Sequence, residues 1–117
     1  MRLLVCGGRD WSNRKAVWAE LDRLKPTFVI QGGARGVDLD ARIWAKRHHV
    51  PCVTVVADWE KYGKAAGPIR NQRMLDDLKP DTVLVFPGNR GTADMAARAQ
   101  RQLGITVIHW TPETGAT

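Results

Sequence analysis

The stretch Arg2-Leu3-Leu4-Val5-Cys6-Gly7-Gly8-Arg9-Asp10-Trp11 decides the fold. A short apolar run leads straight into a glycine pair, then into polar residues and a helical pattern. Continuous apolarity, rather than strict alternation, marks a strand buried on both faces, as in a parallel sheet. The same grammar recurs along the chain. Strands are predicted at Arg2 to Cys6, Thr27 to Gln31, Cys52 to Val56, Thr82 to Phe86 and Ile105 to Trp110.

Helical patterns fill the intervals. Ser12 or Asn13 caps a first helix with Val17, Trp18, Leu21 and Leu24 on its apolar face. A second places Val37, Ala41, Trp44 and Ala45 at helical spacing and ends near His48-His49, before Pro51. A third starts around Gly67-Pro68, with Met74, Leu75 and Leu78 inward. A fourth opens at Gly91-Thr92, carries Met95, Ala96, Ala99 and Leu103, and stops at Gly104. This alternation predicts an α/β fold: a three-layer Rossmann-like sandwich around a five-stranded parallel sheet, in the order 3-2-1-4-5.

With 117 residues the chain is expected to form one domain, residues 1–117. Its 44% hydrophobic and 26% charged residues argue against disorder. The longest apolar runs are four residues, such as Val83 to Phe86, so no membrane span or membrane partner is expected. The first apolar stretch is too short for a signal peptide, and two distant cysteines read as reduced thiols. The expected location is therefore cytoplasmic. Eighteen Lys and Arg against 12 Asp and Glu leave a net charge of +6, which points to an anionic partner.

In parallel sheets, ligands bind beyond the carboxyl ends of the strands, so the strand-to-helix loops carry the chemistry. Here they read Gly7-Gly8-Arg9-Asp10-Trp11, Gly32-Gly33-Ala34-Arg35-Gly36-Val37-Asp38 and Pro87-Gly88-Asn89-Arg90-Gly91-Thr92. Seven of the eleven glycines fall in these loops. Glycine lets backbone N–H groups converge on an oxyanion, and each loop leads into a helix N-terminus that favours anions. Each loop also holds an arginine: Arg9, Arg35 and Arg90. Arg70 and Asn71 sit at the top of the third helix on its core-facing stripe, aimed at the same edge. Four guanidinium groups suit a phosphate or sugar phosphate. Asp10 and Asp38 either pair with these arginines or hold ribose hydroxyls.

Other chemistries lack their residues. There is no G-x-x-x-x-G-K-[ST], no G-x-G-x-x-G after the first strand and no G-x-S-x-G, and Ser12 is the only serine. His48 and His49 are adjacent and cannot converge on one metal, so neither metal nor cofactor is expected. Cys6 and Cys52 read as strand packing. Trp18, Trp44 and Trp110 read as structural, whereas Trp11 and Trp59 lie in loops near the glycine-rich edge. Either of those two is able to stack on a base or to anchor its loop.

Taken in order, several phrases resemble the small YspA (cpYpsA-related) branch of the SLOG superfamily, the Rossmann-like group named for the Smf/DprA and Lonely Guy proteins. They are Gly7 to Asp10, Gly32 to Asp38, Ala57-Asp58-Trp59, Ala66 to Met74 and Phe86 to Met95. The resemblance implies a nucleotide-derived ligand on the glycine-rich edge and a homodimer. Lonely Guy phosphoribohydrolases carry P-G-G-x-G-T-x-x-E, similar to Pro87 to Met95, and R-K-x-x-M, similar to Arg70 to Met74. That likeness implies a catalytic Arg70. The Glu of the pattern falls at Met95, with Asp94 the nearest carboxylate, and one Gly falls at Asn89. DprA proteins, which bind single-stranded DNA, carry G-x-A-R-G-x-D, similar to Gly32 to Asp38.

Three readings follow. The first is binding of a nucleotide or nucleotide-derived molecule, ADP-ribose-like or nucleoside-monophosphate-like, as a sensor or sequestering module. The second is hydrolysis of an N-glycosidic bond by Arg70 and Asp94. The third is single-stranded nucleic-acid binding. In all three the contacts come from Gly7, Gly8, Arg9, Asp10, Gly32, Gly33, Arg35, Gly36, Asp38, Arg70, Asn71, Pro87, Gly88, Asn89, Arg90, Gly91 and Thr92.

Overall fold

A computed structural model describes residues 1–112. The elements alternate as the patterns require: β1 (Arg2–Cys6), α1 (Arg14–Leu24), β2 (Phe28–Gln31), α2 (Val37–Arg47), β3 (Cys52–Thr54), α3 (Trp59–Tyr62), a single 3₁₀ turn (Gly63–Ala65), α4 (Ala66–Leu78), β4 (Thr82–Val85), α5 (Arg90–Gln100) and β5 (Thr106–His109). All strand pairs are parallel and the order is β3-β2-β1-β4-β5. This is the Rossmann-like sheet expected from the sequence.

The two faces of β1 explain the layering. Leu3 and Val5 pack with Val17, Leu21, Ala41 and Trp44 beneath α1 and α2. Leu4 packs with Ile30, Met74, Leu75, Met95 and Ala99 beneath α4 and α5. Both faces of β1 are therefore dry, which is what its unbroken apolarity encodes. At the amino edge, Arg2 closes the sheet by donating its backbone N–H to Asp81 and its guanidinium to the Leu78 carbonyl. Among the described residues no helix is long and apolar enough to cross a membrane.

Several expectations need correction. The fourth predicted helix was to include Leu103, but α5 ends at Gln100 and Leu103 is fully exposed in the following turn. Its buried stripe is Thr92, Met95, Ala96 and Ala99, which already covers the sheet. β3 stops at Thr54, two residues early, because the carbonyl of Val55 accepts from Arg70 rather than from a strand. The edge strands β3 and β5 are only partly buried, unlike the central pair. The one-turn helix α3 is an addition: Asp58 caps it by accepting the N–H of Lys61. At α1, Asn13 rather than Ser12 is the cap, its Oδ1 accepting from Ala16 at 3.1 Å.

Leu4 and Leu103 test this layering. Leu4→Ala should cost about 2–5 kcal/mol in urea unfolding, as expected for a fully buried leucine. Leu103→Ala should stay within about 0.5 kcal/mol of the parent. Equal costs would contradict the placement of α5.

Candidate functional site

The helices after β1 and β2 lie on one face of the sheet, and those after β3 and β4 on the other. The change of side falls between β1 and β4, neighbours in the sheet. It opens a crevice at their carboxyl ends, where such folds take ligands.

Three loops meet there, and glycine makes the meeting possible. Gly8 donates its N–H to the Pro87 carbonyl at 2.8 Å. A Cβ on Gly88 would lie 2.8 Å from the Gly8 nitrogen and would overlap Thr92, so only a glycine lets the β4 loop touch the β1 loop. Gly36 has φ of +77° and sits against Gly8 and the carbonyl of Arg9, where a side chain would be both strained and blocked. The N–H of Val37 also approaches the Gly8 carbonyl, at 3.4 Å.

The β2 loop is filled from within the chain. Asp38 Oδ2 accepts from the amides of Gly32 at 3.1 Å and Ala34 at 3.3 Å. Gln31 Oε1 accepts from Gly33 at 2.6 Å. Gly32, Gly33 and Asp38 therefore hold the loop in shape, and an incoming anion would meet a carboxylate there. Burial pushes the Asp38 pKa up to about 6, against the amide of Ala34, the charge of Arg70 and the amide of Gly32. Gln31, fully buried, was not singled out from sequence. Its signal was a polar residue ending the apolar run Phe28-Val29-Ile30.

Arg70 and Asn71 do point at the sheet edge. Arg70 Nη1 donates to the carbonyls of Gly32 at 2.9 Å and Val55 at 3.3 Å, and its Nε donates to Asn71 Oδ1. Burial lowers its pKa. Asn71 Nδ2 donates to the Gly91 carbonyl and to Asp94 Oδ2. Asp94 Oδ2 also accepts from Arg98 Nε at 2.8 Å. This chain of contacts lashes the first turn of α5 to α4. Partial burial opposes ionisation of Asp94, but the bonds from Arg98 and Asn71 outweigh it and hold its pKa below the usual carboxylate range. Arg98 is a second residue the sequence reading missed.

The β4 loop is different. Asn89 precedes α5 without a side-chain cap bond, and the first intrahelical donor is Ala93 to the Asn89 carbonyl. The amides of Arg90, Gly91 and Thr92 have no partner among the described residues, as expected for the first turn of an uncapped helix. Arg9 and Arg90 are exposed, and their guanidinium groups have no partner among the described residues. Arg35 meets Asp10 in an exposed pair at 3.0 Å, which water screens heavily.

Trp11 anchors its loop. Its ring packs against Phe86 and Trp110 with centroids 5.4 and 5.2 Å away, and its Nε1 donates to the Asn13 carbonyl. Cys6 lies beside Asp38 and Arg70. Burial, then the charge of Asp38, pushes its thiol pKa up to about 12, so it stays protonated. Among the described residues no group of three or more His, Cys, Asp or Glu could hold a metal. An open groove of about 460 Å³, lined in part by Lys79, Asp81 and Leu103, lies at the opposite, amino edge of the sheet, away from the glycine loops.

The pH dependence of stability tests the role of Asp38. Its folded pKa is raised, so its contribution to stability is complete below about pH 4 and is lost as pH rises through about 6. Asp38→Asn keeps an acceptor oxygen and removes the titration. The stability of this variant relative to the parent should increase between about pH 4.5 and about pH 7 in urea unfolding. A difference independent of pH would contradict the buried carboxylate.

Comparison with known proteins places this geometry. The YAcAr profile, described as the YspA, cpYpsA-related SLOG family, matches residues 1–62. The Gene 61 protein of Mycobacterium phage D29 is 39% identical over 121 aligned positions, covering 93% of this chain and 95% of that protein. The X-ray structure of DNA processing protein A (DprA) from Streptococcus pneumoniae superposes with a TM-score of 0.73 at 19% identity. The superposition covers 97% of this chain but 52% of that one, so the chain spans about half of it, and the likeness is one of fold. The family model covers more than half of the chain, and the chain belongs to the YspA, cpYpsA-related SLOG family.

Proposed function

We propose that the protein binds a nucleotide or nucleotide-derived ligand, ADP-ribose-like or nucleoside-monophosphate-like, at this carboxyl edge, as a sensor or sequestering module. One observation carries the reading. The amides of Arg90, Gly91 and Thr92 begin α5 just after β4 without partners among the described residues, and the β1 and β4 loops also supply Arg9 and Arg90, whose guanidinium groups have no partner there. Free amides at a helix start together with unpaired arginines suit a phosphate. The proposal assigns Gly7, Gly8, Pro87, Gly88 and Asn89 to the lining of the ligand site and Arg35 with Asp10 to its rim, with Gly36 packed on the Gly8 and Arg9 backbone.

Binding fits Asp94 and Arg70 better than bond cleavage does. Asp94 already accepts from Asn71 and Arg98 on one oxygen, and Arg70 gives three N–H bonds to Gly32, Val55 and Asn71. Both are committed to joining α4, α5 and the β2 loop. The fold shared with a DNA processing protein and the charge of +6 favour a second reading, single-stranded nucleic acid on the same edge.

A thermal-shift series with AMP, ADP-ribose and NAD tests the proposal. A ligand at about 100 times its Kd should stabilise the fold by about 2.7 kcal/mol, a shift of several degrees. Arg9→Ala and Arg90→Ala should each weaken binding by roughly five- to tenfold, with the unliganded midpoint unchanged. No shift with any nucleotide would overturn the reading. Tighter binding to oligonucleotides, falling steeply with salt, would favour the second one.

A further inference from the structure

The five tryptophans are not equivalent. Trp11 and Trp110 pack on each other and on Phe86. Trp44 stacks on His48 and donates its Nε1 to Asp22. Trp18 lies under the guanidinium groups of Arg14 and Arg47 and donates to the Asp40 carbonyl. Trp59 alone has neither ring nor cation on its faces among the described residues, and it is 59% exposed. Three residues before it, Val56 is 73% exposed.

This exposure is held in place. Asp58 caps α3 by accepting from Lys61, and the N–H of Tyr62 returns to the Asp58 carbonyl. One edge of the indole rests on the first turn of α4: a Cβ on Gly67 would lie 3.4 Å from Trp59 Cη2. The same helix presents Arg70 less than one turn further on, and Arg70 is bonded to the Val55 carbonyl, immediately before Val56. On the other side, a Cβ on Gly33 would lie 3.6 Å from Val56 Cγ2. Trp59 and Val56 are both exposed and rest on different elements, Trp59 on the first turn of α4 and Val56 on the β2 loop at Gly33. Neither side chain belongs to the core cluster on this face of the sheet. Of the neighbouring charges, Lys61 and Arg73 are engaged with the Tyr62 ring and hydroxyl, Lys64 and Glu60 are exposed, and Asp58 is engaged as a cap.

We infer that Trp59 is the stacking platform for a planar heteroaromatic base. The ligand is then a nucleoside phosphate, not a bare sugar phosphate. This rests on the phosphate reading above and adds to it the part of the ligand that confers selectivity. An indole with no ring or cation on its faces among the described residues, resting on the helix that carries Arg70, is what a base with an attached phosphate requires.

The test compares AMP with ribose 5-phosphate, which lacks the base, on the parent, Trp59→Ala and Trp59→Phe, by calorimetry or by tryptophan fluorescence. AMP should bind the parent about tenfold more tightly than ribose 5-phosphate, the scale of one base on one aromatic ring. Trp59→Ala should abolish that gap and leave ribose 5-phosphate unaffected, whereas Trp59→Phe should retain most of it. Because Trp59 is largely exposed, all three proteins should melt at closely similar temperatures. Equal affinities for the two compounds, unchanged by Trp59→Ala, would overturn the platform and leave the phosphate site standing. Failure of both compounds to bind would instead overturn the reading on which it rests. An oligothymidylate that outcompetes AMP on the parent and loses affinity with Trp59→Ala would overturn the nucleoside-phosphate assignment in favour of a strand of nucleic acid.

Discussion

The hydrogen bond from Gly8 to the Pro87 carbonyl joins the two strand ends between which the helices change sides. Everything at the carboxyl edge depends on that approach. It requires glycine at position 88, because the β1 loop occupies the space a side chain would need. It brings the Gly36 turn against the same backbone and so adds the third loop. The glycines first read as an oxyanion cradle are thus, in large part, the means by which three loops are packed into one surface. The open amides are a consequence at one end of that surface, where α5 begins without a cap.

The charges divide along the same line. Asp38 sits inside the β2 loop, paired with amides and with Arg70 nearby, and stands where an external anion would otherwise go. Arg70, Asn71, Asp94 and Arg98 tie helix to helix. Arg9 in the β1 loop and Arg90 at the uncapped start of α5 have no partner for their guanidinium groups among the described residues. The net charge of +6 therefore includes two arginines, Arg9 and Arg90, in the loops after β1 and β4, while other cations are spread over the helices.

The fold was largely legible because β1, β2 and β4 hold continuous apolar runs, closed by glycine, by Gln31 before glycine, and by proline, and the helices between them keep a clear 3.6-residue period. Legibility failed where periodicity has no room to show. A single turn such as α3 has too few residues to display a stripe. Leu103 continued the spacing of α5 although the helix had already ended. α1 and α4 end on Lys25 and Lys79 in the left-handed conformation, where glycine is the usual signal. At the site, the loops and the four arginines could be read from composition and order. The inward turn of Asp38 could not, since an acid in a glycine loop has the same sequence whether it meets a ribose or its own backbone. Trp11 and Trp59 were likewise indistinguishable until packing partly buried one against Phe86 and left the other exposed.

The central claim is that anionic ligand meets the protein at the start of α5. The most direct measurement is an amide-resolved NMR titration of the ¹⁵N-labelled protein with AMP. The largest shifts should fall on the amides of Arg90, Gly91 and Thr92 and on Gly8 and Arg9 nearby, with Gly32, Gly33 and Ala34 changing less because their N–H groups are already engaged. Shifts centred on the amino-edge groove around Lys79, Asp81 and Leu103, or no shifts at saturating AMP, would contradict the account.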